Sequence, residues 1–269
     1  MVRELLKKAA QSLENSETPM LDARVLLAYA VGKSDAALVF DMPDDSQLEA
    51  FWDCIKKRKK GVPVAYITGE KEFMGLTFKL NKDTLIPRPD TECLVEKVIE
   101  LCSVQKPKIL DLCTGSGCIG ISLAHFIKGS TVVLTDIADG AISAAKENAK
   151  LNGVDERTAV FRLNALEDAV PQGFDIIVSN PPYIKTDVMK TLEVSEYEPE
   201  RALDGGKDGL IFYRVISKKA YDALEKGGIL AFEIGYDQGK DVTELLSDFS
   251  SVKLYKDYGG NDRVIVAVK

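Results

Sequence analysis

The sequence Phe174-Asp175-Ile176-Ile177-Val178-Ser179-Asn180-Pro181-Pro182-Tyr183 joins an apolar strand to a stiff turn. Neither proline has a backbone N–H to donate to a neighbouring strand, so the strand must end at about Asn180. The first proline also disfavours helical geometry for Asn180. The sequence therefore predicts a rigid corner at a sheet edge that carries an amide side chain, unpaired carbonyls and an aromatic ring.

This corner, residues 180–183, is called the clamp segment because it has the groups needed to hold a planar –NH2 group. The Asn180 side-chain oxygen and a nearby carbonyl can accept the two hydrogens of that group, and the Tyr183 ring can cover its flat face. A strand-to-loop turn with a surface tyrosine explains these residues equally well, since Asn-Pro is an ordinary turn signal. Other parts of the chain must decide between the two interpretations.

The composition is typical of a soluble globular protein, with 45% hydrophobic and 29% charged residues among 269. This length favours two domains, or one large domain with an extension. No uncharged apolar run reaches ~18 residues and the N-terminus is unlike a signal peptide, so we expect a cytoplasmic protein with no membrane partner. The five cysteines form no C-x-x-C pair and the single histidine, His125, falls in an apolar helical pattern. We therefore expect no metal site, no disulfide framework and no serine–histidine chemistry.

The net charge of −7 bears on possible partners. Tight binding of duplex DNA normally needs a basic stripe that neutralises phosphates. The one basic run, residues 56–60, is interpreted as the solvated end of a helix. We expect no direct nucleic-acid partner, although nucleic acid is not excluded as a substrate.

Residues 2 to about 60 are predicted to be helical, with apolar stripes at helical spacing and a short helix near residues 35–39. Residues 66–69 and 72–80 are predicted to be extended, with a turn at Gly75. The predicted domains are a helical N-terminal domain at 1–70, a β-hairpin linker at 71–86 and a catalytic domain at 87–269.

Beyond residue 106 strands alternate with helices, which predicts an α/β fold with a mainly parallel, Rossmann-like sheet of seven strands. A short turn at 258–261 predicts that the last two strands form an antiparallel hairpin. Ligands of such sheets bind beyond the carboxyl ends of the strands, near the topological switch point. The predicted strands are 108–112, 131–137, 159–163, 174–179, 228–234, 252–257 and 264–268, and the predicted helices are 117–126, 140–151, 210–225 and 238–246.

A glycine loop, Asp111-Leu112-Cys113-Thr114-Gly115-Ser116-Gly117-Cys118-Ile119-Gly120, follows the first of these strands. Its glycines permit a tight turn and a close approach of a ligand to the backbone. Asp136 ends the next strand, where its carboxylate can accept both hydroxyls of a ribose. The loop also satisfies the dinucleotide fingerprint, so a dehydrogenase and a non-catalytic nucleotide-binding module remain alternatives. Asp111 favours S-adenosylmethionine, because its charge would repel a pyrophosphate and could hold a cationic methionine end.

With its clamp segment and its glycine loop taken together, the sequence resembles the class I S-adenosylmethionine-dependent methyltransferases. More narrowly, it resembles the release factor glutamine methyltransferases of the PrmC/HemK family. The Asn-Pro-Pro-Tyr tetrapeptide alone is shared with DNA and RNA amino-methyltransferases. The hairpin and Arg-Pro-x-Thr-Glu stretches make the narrower resemblance specific. The segments that carry it are Pro63-Val64-Ala65-Tyr66-Ile67-Thr68-Gly69-Glu70, Ile86-Pro87-Arg88-Pro89-Asp90-Thr91-Glu92, the glycine loop, the clamp segment, Glu198-Pro199-Glu200-Arg201-Ala202-Leu203-Asp204-Gly205-Gly206 and Gly235-Tyr236-Asp237-Gln238.

The resemblance implies a substrate, a cofactor and a set of site residues. The implied substrate is the glutamine of the Gly-Gly-Gln motif in class I peptide chain release factors, the product is N5-methylglutamine, and the cofactor S-adenosylmethionine leaves as S-adenosylhomocysteine. The N-terminal domain is expected to dock the release factor, and the enzyme is expected to act as a monomer. The implied catalytic residues are Asn180, Pro181, Pro182 and Tyr183; Arg88 and Glu92 join them in binding substrate; the implied cofactor-binding residues are Asp111, Cys113, Thr114, Gly115, Ser116, Gly117, Asp136, Asn164, Ala165 and Asn180.

A mechanism based on orientation fits these residues. A carboxamide nitrogen is a poor nucleophile because its lone pair is delocalised, and no histidine is placed to deprotonate it. Asn180 and the Pro181 carbonyl would accept its two N–H bonds and direct the lone pair at the methyl group, while Tyr183 stacks on the amide. The alternatives are a glutamine methyltransferase of a ribosomal protein, and an adenine or cytosine amino-methyltransferase, which would need base flipping and a basic groove.

Overall fold

The computed structural model describes residues 2–33 and 43–269. Its internal contacts divide the chain into two compact units, Met1–Glu70 and Lys71–Lys269. Each unit is described by itself below. The short helix expected near residues 35–39 lies outside the described residues.

The first unit is helical, as the apolar stripes predict. Its helices are α1 (Val2–Gln11), α2 (Pro19–Val31), α3 (Asp45–Lys59) and α4 (Val64–Thr68). The sequence defines two of the helix starts locally: α2 has proline in its first turn, and α3 begins with a reciprocal capping box between Asp44 and Gln47. Apolar side chains of α1, α2 and α3 meet in one core that includes Ala9, Leu26, Leu27, Phe51 and Ile55. The stripe predicted for α2 is wrong in part, because Leu21, Val25 and Tyr29 are exposed and the buried face is formed by Ala23, Leu26 and Leu27 instead.

Two expectations for this unit are wrong. Residues 64–68 form α4 rather than an extended segment, because the Pro63 carbonyl accepts bonds from the N–H groups of Tyr66 (3.0 Å) and Ile67 (3.1 Å). Nor is the basic run solvated throughout: Nε of Arg58 contacts Oδ2 of Asp22 at 2.7 Å, and both side chains are largely buried. Arg58 therefore ties α3 to α2.

A two-stranded hairpin opens the second unit, with β1 at Glu70–Phe73 and β2 at Leu76–Lys79. The predicted turn at Gly75 is confirmed, and Met74 (φ 53°) and Gly75 (φ 71°) both adopt left-handed geometry there. Phe73 and Phe78 belong to the same hydrophobic core as the large sheet. The hairpin is thus packed into the core of the second unit.

The large sheet has seven strands in the order β5-β4-β3-β6-β7-β9-β8. All pairs are parallel except β7–β9 and β8–β9. The predicted parallel sheet with an antiparallel final hairpin is therefore confirmed. The strands are β3 (Lys108–Leu112), β4 (Thr131–Asp136), β5 (Thr158–Arg162), β6 (Phe174–Ser179), β7 (Leu224–Glu233), β8 (Ser251–Lys256) and β9 (Asp262–Val268).

Helices cover the sheet in two layers, each with its own core. One core contains residues of α5, α6 and α7, and the other contains residues of α9 and α10. One boundary differs clearly from the prediction, because β7 begins at Leu224 where a helix was expected to continue to residue 225. The helices are α5 (Pro89–Leu101), α6 (Cys118–Phe126), α7 (Asp139–Leu151), α8 (Thr186–Met189), α9 (Ile211–Ala223) and α10 (Gly239–Leu245).

The centre of the sheet determines where a ligand can bind. From β3 the chain crosses to β4 on one side, whereas from β6 it crosses to β7 on the other, so β3 and β6 flank the topological switch point. Leu112 pairs with Ser179 at the carboxyl ends of these strands, and the Ser179 hydroxyl donates to the Leu112 carbonyl at 2.6 Å. The glycine loop and the clamp segment therefore leave the sheet side by side. None of the helices in the described residues is long and apolar enough to cross a membrane.

Candidate active site

A cavity of about 740 Å³ opens at the switch point, within the second unit. Its size is that of a pocket for a nucleoside-sized ligand. The glycine loop forms one wall, the ends of β4 and β5 form a second, and the clamp segment with residues 199–206 forms a third. Of the residues implied as site residues, those that line it are Arg88, Cys113, Thr114, Gly115, Ser116, Asp136, Asn164, Ala165, Asn180 and Pro182.

The glycine loop turns sharply between β3 and α6. Cys113 (φ 60°), Gly115 (φ 55°) and Gly117 (φ 85°) are all left-handed. A Cβ added at Gly117 would lie 2.6 Å from Cδ1 of Ile121, so a side chain here would displace the end of Ile121 in addition to straining the turn. Gly117 does not line the cavity. It is the N-cap residue of α6.

Asp111 is the first residue of the glycine loop, but its side chain does not line the cavity. It is fully buried, and its Oδ2 accepts bonds from Oγ1 of Thr114 (2.6 Å) and the N–H of Gly120 (2.9 Å). Its Oδ1 is buried and has no hydrogen-bond partner among the described residues. Burial raises the pKa of this carboxyl to about 7, against the lowering effect of these two donors. Asp111 thus holds the loop in shape and leaves one carboxylate oxygen unpaired.

Asp136 ends β4 at the cavity wall. Its Oδ2 accepts from the N–H of Gly115 and its Oδ1 from the N–H of Ala138, each at 2.9 Å. Burial raises the pKa of Asp136, while these backbone donors and the more distant Arg201 lower it. Each carboxylate oxygen keeps a further lone pair for a ligand hydroxyl.

Asn164 and Ala165 form the wall beyond β5. Oδ1 of Asn164 accepts from the N–H of Leu166 (3.0 Å), and the N–H of Asn164 donates to Oδ2 of Asp168 (2.8 Å). These bonds close a tight turn that places Leu163, Ala165 and Leu166 along the cavity. The wall is therefore largely apolar and suits the face of a flat ring.

The clamp segment contributes Asn180 and Pro182 to the cavity, but not Pro181 or Tyr183. Nδ2 of Asn180 donates to Oγ1 of Thr91 on α5 at 3.5 Å, a long hydrogen bond. The Tyr183 ring packs against the core that contains α9 and α10, and its hydroxyl lies 3.5 Å from Oε1 of Glu233. Burial raises the pKa of Tyr183, with a further contribution from Glu233.

Residues 203–209 support the clamp segment from behind. The N–H of Ile184 donates to the Leu203 carbonyl (3.0 Å), and the N–H of Gly205 donates to the Ile184 carbonyl (2.8 Å). A Cβ at Gly205 would lie 2.7 Å from Cα of Tyr183, so this close approach requires glycine. The segment is thereby fixed against the clamp.

Arg88 and Glu92 have different positions. Arg88 lines the cavity, and its guanidinium pairs with the buried carboxylate of Glu198, which also accepts from the N–H of Ile86 at 3.4 Å. Glu92 does not line the cavity; its Oε1 accepts from the N–H of Met74 at 2.7 Å, in the hairpin turn. The structure thus brings Arg88, but not Glu92, to the site.

Sequence reasoning missed several buried polar residues around the clamp. Nε2 of Gln238 donates to the carbonyls of Tyr183 and Gly209, both at 3.1 Å. Thr91 and Glu233, both 2% exposed, lie next to Asn180 and Tyr183. Thr91 and Gln238 stand in two of the segments that carry the family resemblance, which is the signal that could have found them. Polar residues at helix starts and strand ends are normally surface residues, so the pattern alone does not predict their burial. Within the described ranges, no group of three or more His, Cys, Asp or Glu side chains could hold a metal ion.

Comparisons with known proteins agree with this architecture. Residues 4–69 match the family model described as the PrmC N-terminal domain, and residues 89–197 match the methyltransferase small domain. A protein of Clostridium acetobutylicum named release factor glutamine methyltransferase is 40% identical, covering 100% of this chain and 98% of its own. A protein of Aquifex aeolicus with the same name is also 40% identical, covering 99% and 95%.

Solved structures share a fold with about three quarters of this chain. A methyltransferase from Pyrococcus furiosus aligns with a TM-score of 0.56 and 20% identity, over 74% of this chain and 91% of its own. The ribosomal protein L11 methylase of Lactobacillus delbrueckii subsp. bulgaricus aligns with a TM-score of 0.51 and 23% identity, over 71% and 84%. At these identities the likeness shows the methyltransferase fold.

Proposed function

This chain belongs to the family of release factor glutamine methyltransferases, and from that premise we propose that it methylates a glutamine of peptide chain release factors. The proposed reaction moves a methyl group from S-adenosylmethionine to the side-chain amide nitrogen of the glutamine in the Gly-Gly-Gln motif of class I release factors. The observation that supports it most strongly is 40% identity over essentially the whole chain to relatives of that name. Release factors act on ribosomes, so the proposed location is the cytoplasm, and we propose that the enzyme works as a monomer without binding nucleic acid directly.

The cavity fits S-adenosylmethionine better than a dinucleotide. Asp136 lines it, and Asp111 has a buried oxygen without a partner directly behind the glycine loop. The Asp136 carboxylate suits a ribose, while Asp111 acts only through its charge behind the cavity wall, which favours a cationic methionine end and disfavours a pyrophosphate at the same loop. Leu163, Ala165 and Leu166 offer an apolar surface for an adenine ring. In the proposed complex Thr114, Gly115 and Ser116 lie along the ligand.

The clamp segment would orient the glutamine amide. When bound, S-adenosylmethionine supplies a methyl group activated by a positively charged sulfur. Asn180 directs its Nδ2 to Thr91, so its Oδ1 is available to accept one N–H of the substrate amide. Among the backbone hydrogen bonds of the described residues none ends on the Pro181 carbonyl. Pro181 does not line the cavity, so its carbonyl would accept the other N–H only in a substrate that reaches past Asn180 and Pro182. Two fixed acceptors would hold the amide plane and direct the nitrogen lone pair, and orientation would supply most of the rate.

The structure favours a supporting role for Tyr183 over the stacking expected from the sequence. Its ring belongs to the core and does not line the cavity, while its hydroxyl and carbonyl contact Glu233 and Gln238. Pro182, by contrast, lines the cavity. We propose that Pro182 contacts the substrate amide and that Tyr183 anchors the clamp.

The test is methyl transfer from labelled S-adenosylmethionine to a purified class I release factor. The matched substrate control carries Gln→Ala in the Gly-Gly-Gln motif, and tryptic mass spectrometry locates the label. We expect one methyl group on that glutamine and none on the control. Label in nucleic acid or in a ribosomal protein, with none in the release factor, would overturn the proposed substrate.

Replacing the clamp amide tests the mechanism. For Asn180→Ala we expect kcat to fall about 10²- to 10³-fold, as when one preorganised polar group of a transition-state site is removed. Equilibrium dialysis should show S-adenosylmethionine affinity within a few-fold of wild type. Near-normal turnover in a variant that binds the cofactor normally would rule out the clamp.

A further inference from the structure

We infer that Lys219 is a positioning residue for the cofactor, because it holds the turn after β5 in the place where the adenine ring is proposed to lie. The inference rests on the proposed function, since it concerns the adenine contact of S-adenosylmethionine. It goes beyond that function by assigning part of the cofactor affinity to a side chain outside the cavity. Lys219 belongs to none of the segments that carry the family resemblance.

The turn after β5, residues 164–168, satisfies the polar groups at its start by itself. The N–H of Asp168 donates to the Asn164 carbonyl at 2.9 Å, which closes one helical turn. Asn164 and Asp168 also exchange the side-chain bonds described above, from the N–H groups of Asn164 and Leu166. No backbone N–H of the described residues donates to the carbonyls of Ala165 or Asp168. These two carbonyls therefore need a donor from elsewhere.

Lys219 supplies that donor. Its Nζ donates to the Ala165 carbonyl at 2.9 Å and to the Asp168 carbonyl at 2.7 Å. An ammonium group has three donors, and hydrogen bonds from a charged donor are roughly twice as strong as neutral ones. The two acceptors stand near the beginning and at the end of the same turn. One side chain therefore fixes the turn at two points.

Helix α9 gives Lys219 a rigid base. Ile216, Ala220 and Ala223 of this helix are buried in the same core as Ala165. Lys219 itself is half-buried and does not line the cavity. Its ammonium group can therefore act on a ligand only through the turn that it holds.

The position of the turn matters because its apolar residues form a wall of the cavity. Leu163, Ala165 and Leu166 line the cavity there. Dispersion attraction acts only at close contact, and a gap of about 0.5–1 Å already loses about a quarter to a half of it. A turn released from Lys219 would therefore hold a flat ring less tightly without losing any residue that touches the ring.

The sheet order separates this turn from the clamp segment. The turn follows β5 and the clamp segment follows β6, and the strands β4 and β3 lie between them in the sheet. Loss of the Lys219 contacts should therefore weaken cofactor binding and leave the methyl-transfer step unchanged. The expected signature is a raised KM for S-adenosylmethionine with a normal kcat.

The experiment compares Lys219→Met and Lys219→Arg in the full chain. Methionine keeps an unbranched side chain and removes the ammonium group, whereas arginine keeps a charged donor. Lys218→Met is the matched control, because Lys218 is the neighbouring lysine on α9 and is exposed. Calorimetric titration measures the affinity for S-adenosylhomocysteine and for 5′-methylthioadenosine, which has the adenine and the ribose but no methionine end. Methylation of the release factor at increasing S-adenosylmethionine gives KM and kcat.

We expect Lys219→Met to bind both ligands about five- to tenfold more weakly, up to the effect of one hydrogen bond from a charged group. The factor should be the same for both ligands, because the adenine is common to them. KM for S-adenosylmethionine should rise by that factor while kcat stays at the wild-type value. Lys219→Arg should lose less affinity than Lys219→Met, and Lys218→Met should lose none.

Three results would overturn the role of Lys219. They are wild-type affinity of Lys219→Met for both ligands, a loss confined to S-adenosylhomocysteine, and a fall in kcat with KM unchanged. The titrations also give the number of binding sites, so an unfolded fraction lowers that number and leaves the affinity of the folded fraction measurable.

The proposed function fails in a different way. A wild-type chain that binds neither ligand removes the proposed cofactor. A wild-type chain that binds both ligands but methylates no release factor removes the proposed substrate, and the two affinities still decide the role of Lys219.

Discussion

Cys113 holds a backbone conformation that only glycine adopts without strain. Its φ of 60° places a side chain in the left-handed region, which costs an ordinary residue about 1–2 kcal/mol. The thiol packs against the core that contains α9 and α10, and burial raises its pKa, so it is a neutral, apolar filler. The backbone strain destabilises the folded protein, whereas the packing of the thiol stabilises it.

For Cys113→Gly we therefore expect a free energy of unfolding within about 1 kcal/mol of wild type, because relief of strain offsets lost packing and greater chain entropy. Cys113→Val should destabilise by about 2 kcal/mol or more, since a branched side chain fits left-handed geometry worst. Urea unfolding of both variants measures this. A Val variant as stable as the Gly variant would show that the turn does not limit residue choice.

Asp136 gives a second prediction at this scale. Asp136→Asn keeps the size of the side chain but removes its charge, and one of its two backbone donors, Gly115 or Ala138, then faces an –NH2 group. We expect the affinity for S-adenosylmethionine to fall at least about tenfold, which corresponds to a loss of about 1.4 kcal/mol in binding free energy. Calorimetric titration tests this; unchanged affinity would remove Asp136 from the proposed ribose contact.

At the scale of elements, α7 connects the small hairpin to the glycine loop. Asn148 of α7 is fully buried: its Oδ1 accepts from the N–H of Lys79 (2.7 Å), and its Nδ2 donates to the carbonyls of Lys79 (3.0 Å) and Ser116 (2.8 Å). One side chain thus satisfies backbone groups of β2 and of the loop that lines the cavity.

We expect Asn148→Ala to destabilise the protein by about 2–4 kcal/mol, because it leaves buried backbone groups unpaired. It should also weaken S-adenosylmethionine binding through Ser116. The matched control is Asn152→Ala at the C-cap of the same helix, whose Nδ2 donates to the carbonyls of Thr77 and Asn148, both at 3.0 Å, in a more exposed position. There we expect a loss of at most about 1 kcal/mol. Equal losses in the two variants would contradict this account.

For the whole molecule, the buried carboxyls predict how stability changes with pH. Burial raises the pKa of Asp111 and of Glu233 to about 7, above their values in the unfolded chain. Between about pH 4 and about pH 7 the folded chain therefore binds more protons than the unfolded chain. The two carboxyls stabilise the fold at the acid end of that window, and this stabilisation is lost as the pH rises through about 7.

We therefore expect the double variant Asp111→Asn, Glu233→Gln to change less in Tm than wild type between about pH 5 and about pH 8, in the absence of cofactor. Scanning calorimetry at both pH values measures the difference. The pKa of Asp208 is lowered to about 2 by Arg214. Asp208 is therefore ionised in both the folded and the unfolded chain throughout this window, and its contribution to the stability does not change with pH there. Identical pH dependence in the two proteins would refute the assignment.

Local sequence accounts for most of the sheet and for only part of the site. Strand–helix alternation predicted the parallel pairing, because each βαβ unit carries its own pattern, and the short turn at 258–261 predicted the final hairpin. Arg58, Glu92 and Gln238 could not be placed, since their partners Asp22, Met74 and Tyr183 are distant in sequence. Residues 66–69 were predicted as extended from side-chain type, but Pro63 and Gly69 delimit a helical turn there.

The position of β9 has a consequence for biosynthesis. It lies between β7 and β8, so β8 leaves the ribosome before the strand that pairs with it. Arg263 of β9 contacts Asp90 at 3.3 Å and donates to the Ile234 carbonyl at 3.3 Å, beside Glu233. A nascent chain that stops before β9 would lack both the sheet edge and this support for the clamp. Translation of nearly the whole chain must therefore finish before the enzyme can modify a translation factor.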